Sequence, residues 1–389
     1  MRTPQSYDGV VIAAPFSTPY TRYSTETAHH WLARGLKGAL DAAGLRKEDV
    51  DGLSVASFTL FPDTPVGLTQ HLGFTPRWLD SIPMGGASGV VALRRAARAV
   101  QAGDADIVAC VAGDTNQIDS FRKLLSSFSR FAMDAAYPYG YGGPNAMFAL
   151  LTDRYMTEYG ATREDFGRIC VAQRDNALRY PNAVMKKPLT LDDYLAARPI
   201  ADPIALFDCV MPCAGAEAFL VMTEDEAAKR GLPAARISST IERHNAFPDD
   251  PMQLRGGWEM DRDTLWSCAG CGPEDMDLVQ TYDDYPVISM LQFEDLGFCD
   301  KGAAPEYLRN KDLTVTGDLP HNTSGGQLSA GQAGAGGGFI GLVEAIRQVT
   351  QTAGPTQVAE ARKALVSGFG MINYDRGLCS GAAVIEGAA

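Results

Sequence analysis

Two short patterns recur in this chain in the same order, and any fold has to accommodate both copies of each. Residues Ala43 to Asp51 read AGLRKEDVD, and residues Ala269 to Asp277, 226 positions later, read AGCGPEDMD. Gly89 to Val100 reads GVVALRRAARAV, and Gly338 to Val349, 249 positions later, reads GFIGLVEAIRQV, with Gly, Leu, Ala, Arg and Val at equal spacing. A glycine-rich turn leads into each of the second pair, GGASG in one and GAGGG in the other. Two matched features in one order point to a duplicated unit, with a 23-residue insertion between them in the second copy.

The runs VVIAA (10–14), LSVAS (53–57), IVACVA (107–112) and FLVM (219–222) have strand length, and stretches of 3.6 period such as Thr27 to Ala43 lie between them. Alternating strands and helices imply a mainly parallel sheet covered on both faces. Two such units predict an α/β chain with a duplicated five-layer α/β/α/β/α body. We place an N-terminal half at 1–115, a loop or cap region returning to that half at 116–229, and a C-terminal half at 230–389. The segment 116–200 has no counterpart in the second half and is rich in aromatics: Phe121, Phe128, Phe131, Tyr137, Tyr139, Tyr141, Phe148, Tyr155 and Tyr159. They form either a satellite core or the wall of a substrate tunnel.

Composition removes several function classes. With 46% apolar and 21% charged residues over 389 positions, disorder and fibre are excluded. A net charge of −13 without a compensating basic run argues against nucleic acid as a partner. No segment has 18 continuous apolar residues and the N-terminus has no signal-peptide core, so we expect a cytoplasmic protein without membrane insertion. Cys209 and Cys213, and Cys268 and Cys271, are close pairs with no neighbouring His to complete a zinc module, and we expect no metal site.

At this point several tracts carry a resemblance: the GGASG turn at the head of a helix, DPIALFDCVMPCAGAEAFLVMT (202–223), YDDYPVISMLQFEDLGFCDKG (282–302) and LPHNTSGGQLSAGQAGAGGGF (319–339). Together with the duplication they resemble the thiolase superfamily, nearest its sterol-carrier or lipid-transfer branch, whose members act on coenzyme A thioesters. The acyl-accepting cysteine of a thiolase matches Gly86 here, and the Gly-His-Pro that carries its histidine base matches Gly331-Gln332-Ala333. A neutral amide takes up no proton. The third block becomes Tyr282-Asp283-Asp284-Tyr285, and the C-terminal acid-base cysteine has either Cys379 or Tyr374 as its counterpart. This pattern resembles the lipid-transfer-like aldolases of steroid side-chain degradation, which cleave a β-hydroxyacyl-CoA, although those place a tyrosine in the block that holds Gln332 here.

Retro-aldol cleavage needs a base for the hydroxyl proton and a cradle for the thioester enolate, but no acyl-enzyme. The resemblance therefore implies Tyr282, Asp283, Asp284, Gln332 and Cys379 as the catalytic set. Gly85, Gly86, Ser88, Gly334 and Gly336 of the two turns, with His321 and Asn322, would bind substrate, the turns offering backbone N–H groups to the enolate oxygen. Gly86 would leave room for a bulky tertiary alcohol, and Lys186 and Lys187 would meet the phosphates of CoA. Other readings stay open: Tyr282 as a strand-end core tyrosine, Cys379 as packing, the chain as a non-catalytic acyl-CoA or lipid-binding subunit, or acetyl-CoA acyltransferase (thiolase or Claisen) activity. A CoA thioester is expected as substrate, with no bound cofactor. The family implies a homodimer and a small zinc-ribbon and OB-fold partner of the kind called domain of unknown function 35 (DUF35).

Overall fold

A computed structural model describes residues 6–118, 129–130, 132–141, 143–373 and 376–388. Nine strands form one sheet: β1 (Val10–Ser17), β2 (Gly52–Ala56), β3 (Trp78–Ser81), β4 (Ile107–Asp114), β5 (Gly215–Thr223), β6 (Ala234–His244), β7 (Leu278–Gln280), β8 (Lys363–Asn373) and β9 (Arg376–Gly387). Their order is β3-β2-β4-β5-β1-β6-β9-β8-β7, so the two halves meet where β1 pairs antiparallel with β6.

The expectation of a mainly parallel sheet is corrected. Only β2–β3, β2–β4 and β7–β8 run parallel, while β4–β5, β5–β1, β1–β6, β6–β9 and β8–β9 are antiparallel. Each half keeps its parallel pairs at its outer edge, two in the first half and one in the second, and returns through antiparallel strands toward the middle.

The main helices are α1 (Ala28–Ala43), α2 (Ser88–Ala102), α3 (Pro144–Tyr159), α4 (Arg163–Arg179), α5 (Gly257–Ala269), α6 (Pro286–Asp295) and α7 (Gly337–Val349). α2 and α7 form the middle layer, burying Val90, Val91, Leu93, Phe339, Leu342 and Val343 between the two half-sheets. α1 packs on the outer face of the first half, and α5 and α6 on the outer face of the second. This is the five-layer arrangement.

The repeated pattern has the same work in both halves. Gly44 (φ +63) ends α1 and Gly270 (φ +66) ends α5, each in the left-handed region that glycine enters without penalty. Asp49 accepts from the N–H of Arg46 at 2.9 Å, and Asp275 from that of Gly272 at 2.8 Å, closing equivalent tight turns. The last aspartate then ties the turn to the neighbouring strand: Asp51 accepts from Ile107 N at 2.9 Å, and Asp277 from Lys363 N at 2.8 Å. The second repeat is a helix crossing. A Cβ on Gly89 would lie 2.2 Å from the Gly338 carbonyl oxygen, and one on Gly338 would lie 2.6 Å from that of Gly85.

The aromatic segment divides. Phe121, Phe128 and Phe131 lie outside the described residues, Tyr137 and Tyr139 are exposed, and Phe148 and Tyr155 are core residues of α3. No helix among the described residues is long and apolar enough to cross a membrane.

Candidate active site

The starts of α2 and α7, the ends of β4 and β8 and the loop after β7 converge on one cavity, with the head of α3 as its outer wall. The sequence-derived candidates Gly85, Gly86, Tyr282, Asp284, Gln332 and Gly334 all line it.

Tyr282 follows β7 and is held by its backbone. Gln292, fully buried in α6, accepts from Tyr282 N at 3.0 Å and donates to its carbonyl oxygen at 2.7 Å. Ser367 of β8 fixes the same amide by donating to its Oε1 at 2.7 Å. The ring then lies against Gly86, where a Cβ would stand 2.0 Å from Cε2 and 2.1 Å from Cζ of Tyr282. Gly86 therefore leaves no room for a tertiary alcohol; the space is taken by the tyrosine, and that expectation is corrected.

The Tyr282 hydroxyl lies near Asp284, and its pKa is raised well above the usual tyrosine value, first by burial and then by that carboxylate. Asp284 is itself pushed up to about 7, chiefly by burial, with the nearby Tyr282 hydroxyl opposing that rise and Asp283 adding repulsion. Gln332 donates its side-chain N–H to Asp284. Its backbone is locked to the opposite wall, donating to the Met211 oxygen and accepting from Cys213 N, both at 2.9 Å. A phenol, a carboxyl poised near neutrality and an oriented amide thus meet in one apolar cavity, an arrangement suited to moving a proton at neutral pH.

The remaining candidates lie elsewhere. Asp283 turns away from the cavity and accepts from the backbone N–H of Gln327 (3.0 Å) and Leu328 (3.2 Å) at the start of the short helix Gly326–Ala330. Its pKa of about 6 reflects burial, held back by those donors. His321 is a core residue bonded to Thr281 Oγ1 at 2.7 Å, and burial lowers its pKa to about 3, so it stays neutral. Asn322, at φ +44, uses its Oδ1 to accept from Thr281 N at 2.9 Å. Ser88 donates to the Ile82 oxygen at 3.1 Å, which ties down the turn before α2.

Cys379 sits in β9 within the central core, outside the lining of this cavity, and burial pushes its thiol up to about 12. Tyr374 lies outside the described residues. Gly336 does not reach the cavity, and Lys186 and Lys187 are exposed away from it, Lys186 donating to the carbonyl oxygens of Tyr180 (3.2 Å) and Pro181 (3.0 Å). The backbone donors expected from the second turn are also partly used, since Ala335 N donates to Asp114 and Gly336 N to the Ala333 oxygen.

Sequence reasoning missed Gln292, which clamps Tyr282, and Asp114, a 2% exposed carboxylate on the cavity wall. It also missed Tyr285, whose hydroxyl donates to Asn145 Oδ1 and whose ring stacks on Phe148 at 4.1 Å. The only sequence signal for Asp114 was an acid closing an otherwise apolar strand.

Comparison with known proteins identifies the family. A family model described as thiolase C-terminal domain-like matches residues 263–378. The chain is 31% identical over 358 residues to the steroid side-chain-cleaving aldolase of Thermomonospora curvata, covering 88% of this chain and 90% of that one. It is 31% identical over 355 residues to the 17-hydroxy-3-oxo-4-pregnene-20-carboxyl-CoA lyase of Mycobacterium tuberculosis, covering 86% and 90%. The solved structure of an Ltp2-ChsH2(DUF35) aldolase matches with a TM-score of 0.82 at 28% identity, over 97% of this chain and 98% of that one. The chain belongs to the thiolase superfamily, in the branch that contains the steroid side-chain-cleaving aldolases.

Proposed function

We propose that the protein is a carbon–carbon lyase that cleaves a β-hydroxyacyl-CoA thioester by a retro-aldol reaction without an acyl-enzyme. The observation that carries this reading is the Tyr282 ring in the place of a nucleophile at position 86, with Asp284 close enough to raise its pKa. Ionised Asp284 receives the proton of the β-hydroxyl, through the phenol of Tyr282, which gives up its own proton as it takes the substrate's. The bond between the α and β carbons breaks, the β carbon leaves as a ketone, and the electron pair passes into the thioester enolate. Return of the proton to the α carbon completes a shortened acyl-CoA. Gln332 supports the ionised state of Asp284 by donating to it.

The relatives' names support a steroid or similarly bulky acyl group, and the apolar wall formed by Tyr141, Met147, Val210, Met371 and Ile372 suits one. A DUF35 partner is supported by the likeness to the Ltp2-ChsH2(DUF35) aldolase and by Lys186, whose ammonium is already engaged by backbone carbonyls. A homodimer fits the open edge of β3, and location in the cytoplasm fits the CoA chemistry. The test is incubation of the chain, alone and with a DUF35 partner, with a β-hydroxyacyl-CoA bearing a tertiary alcohol. Release of a ketone with a two-product mass balance supports the reading, and exchange of label into free CoA without ketone points to acyl transfer instead.

A further inference from the structure

Asp114 ends β4, faces the cavity and gathers donors from two segments. It accepts from Ser57 Oγ (2.7 Å), Phe58 N (2.9 Å), Thr59 N (2.6 Å) and the Thr59 hydroxyl, all on the loop after β2, and from Ala335 N (2.7 Å) on the glycine-rich loop of the other half. The fit is close: a Cβ on Gly334 would lie 2.1 Å from its Oδ2. A carboxylate with this many donors and almost no solvent is a fixed anchor, because each donor would be left unsatisfied if it moved.

The anchored loop carries Gln332. Between the bonds of Gln332 to Met211 and Cys213 on one side and of Ala335 to Asp114 on the other, the loop has only Ala333 and Gly334 left to adjust. The side chain that leaves this loop is the one that donates to Asp284. We propose that Asp114 is a positioning residue for the proton-transfer pair, acting across the two halves through the Gly334–Ala335 backbone and the amide of Gln332. This rests on the assignment of Asp284 as the base. The titratable groups that act on Asp284 are Tyr282 and Tyr285, with Asp283 behind it, and none of them is hydrogen-bonded to Asp114, so the route from Asp114 to Asp284 is through Gln332.

The substitution that tests it is Asp114→Asn, which keeps the volume and turns one acceptor into a donor facing other donors. With the loop displaced, Gln332 no longer donates to Asp284, the ionised carboxylate loses support, and the acid limb of kcat/KM moves to higher pH. A fall in kcat of roughly 10- to 100-fold is expected from such a misplacement. Gln332→Ala should move the limb in the same direction, and the double variant should move it no further, because both act at one step. Independent, additive shifts would overturn the proposal, as would a crystal structure of Asp114→Asn with the Gln332–Asp284 bond intact. Gly334→Ala, which drives a methyl group at the same carboxylate from the other side, serves if Asp114→Asn fails to fold. The crystal structures decide the positioning role even where the wild-type chain cleaves nothing; that outcome removes the lyase reading alone.

Discussion

The ring of Tyr282 stands where any side chain on Gly86 would begin, and the Phe369 carbonyl oxygen closes the same space, 2.3 Å from a Cβ built there. Position 86 is therefore closed to every residue but glycine. Gly86→Ala should destabilise the protein by about 1–3 kcal/mol through overpacking, measured by urea denaturation, and Gly86→Cys should not create thiolase activity. After incubation with acetyl-CoA, the intact mass of the wild-type chain should be unchanged. An acetyl adduct on any cysteine would restore a covalent mechanism.

Tyr282→Phe removes one oxygen and leaves the ring that fills the Gly86 space. We expect turnover to fall by roughly 10²–10⁴ with CoA-ester affinity nearly intact, since proton transfer is lost and packing is kept. Steady-state kinetics and calorimetry separate the two, and a variant that cleaves at the wild-type rate returns Tyr282 to the core.

Asp284 gives activity and stability opposite pH responses. Cleavage needs the ionised carboxylate, so kcat/KM should rise as pH rises through about 7. Folding favours the neutral form, because the folded pKa of about 7 is raised above the unfolded value of about 3.9. Its stabilisation is complete below about pH 4 and is lost as pH rises through the folded pKa. Asp284→Asn should abolish the activity limb and make stability less dependent on pH between 4 and 7 than in wild type. Urea unfolding of both proteins at pH 5 and 8 reads the difference, and equal slopes would count against a perturbed Asp284.

Cys379→Ala tests the opposite kind of residue. Cys379 is 2% exposed in the central core and is not part of the cavity lining, so cleavage should continue near the wild-type rate while stability drops by about 1 kcal/mol. A loss of turnover without a loss of stability would place Cys379 back in the chemistry.

What the sequence made legible follows from locality. The two repeats announced the duplicated body because each does a local task, ending a helix or letting two helices cross. Strand direction was hidden, since β5 comes back after a long excursion from β4, and β8 and β9 pair antiparallel with only two residues of sequence between them. The Tyr-Asp-Asp-Tyr tract was legible as a site, but neighbouring aspartates leave the chain on different sides. Only contacts with Tyr282 and with the Gly326–Ala330 helix separate Asp284 from Asp283. The replacement of a nucleophile at 86 by a ring from residue 282 joins the two halves, and no window of sequence contains both.

The crossing of α2 and α7 through Gly89 and Gly338 has a meaning for how such chains are read. Both glycine-rich turns are demanded by the close approach of two helix backbones, whatever chemistry takes place above them. A chain of this architecture can lose its nucleophile, exchange its reaction or give up catalysis altogether and still display the same two turns. They are a signature of ancestry and assembly, and the side chains that reach over them carry the news about the reaction.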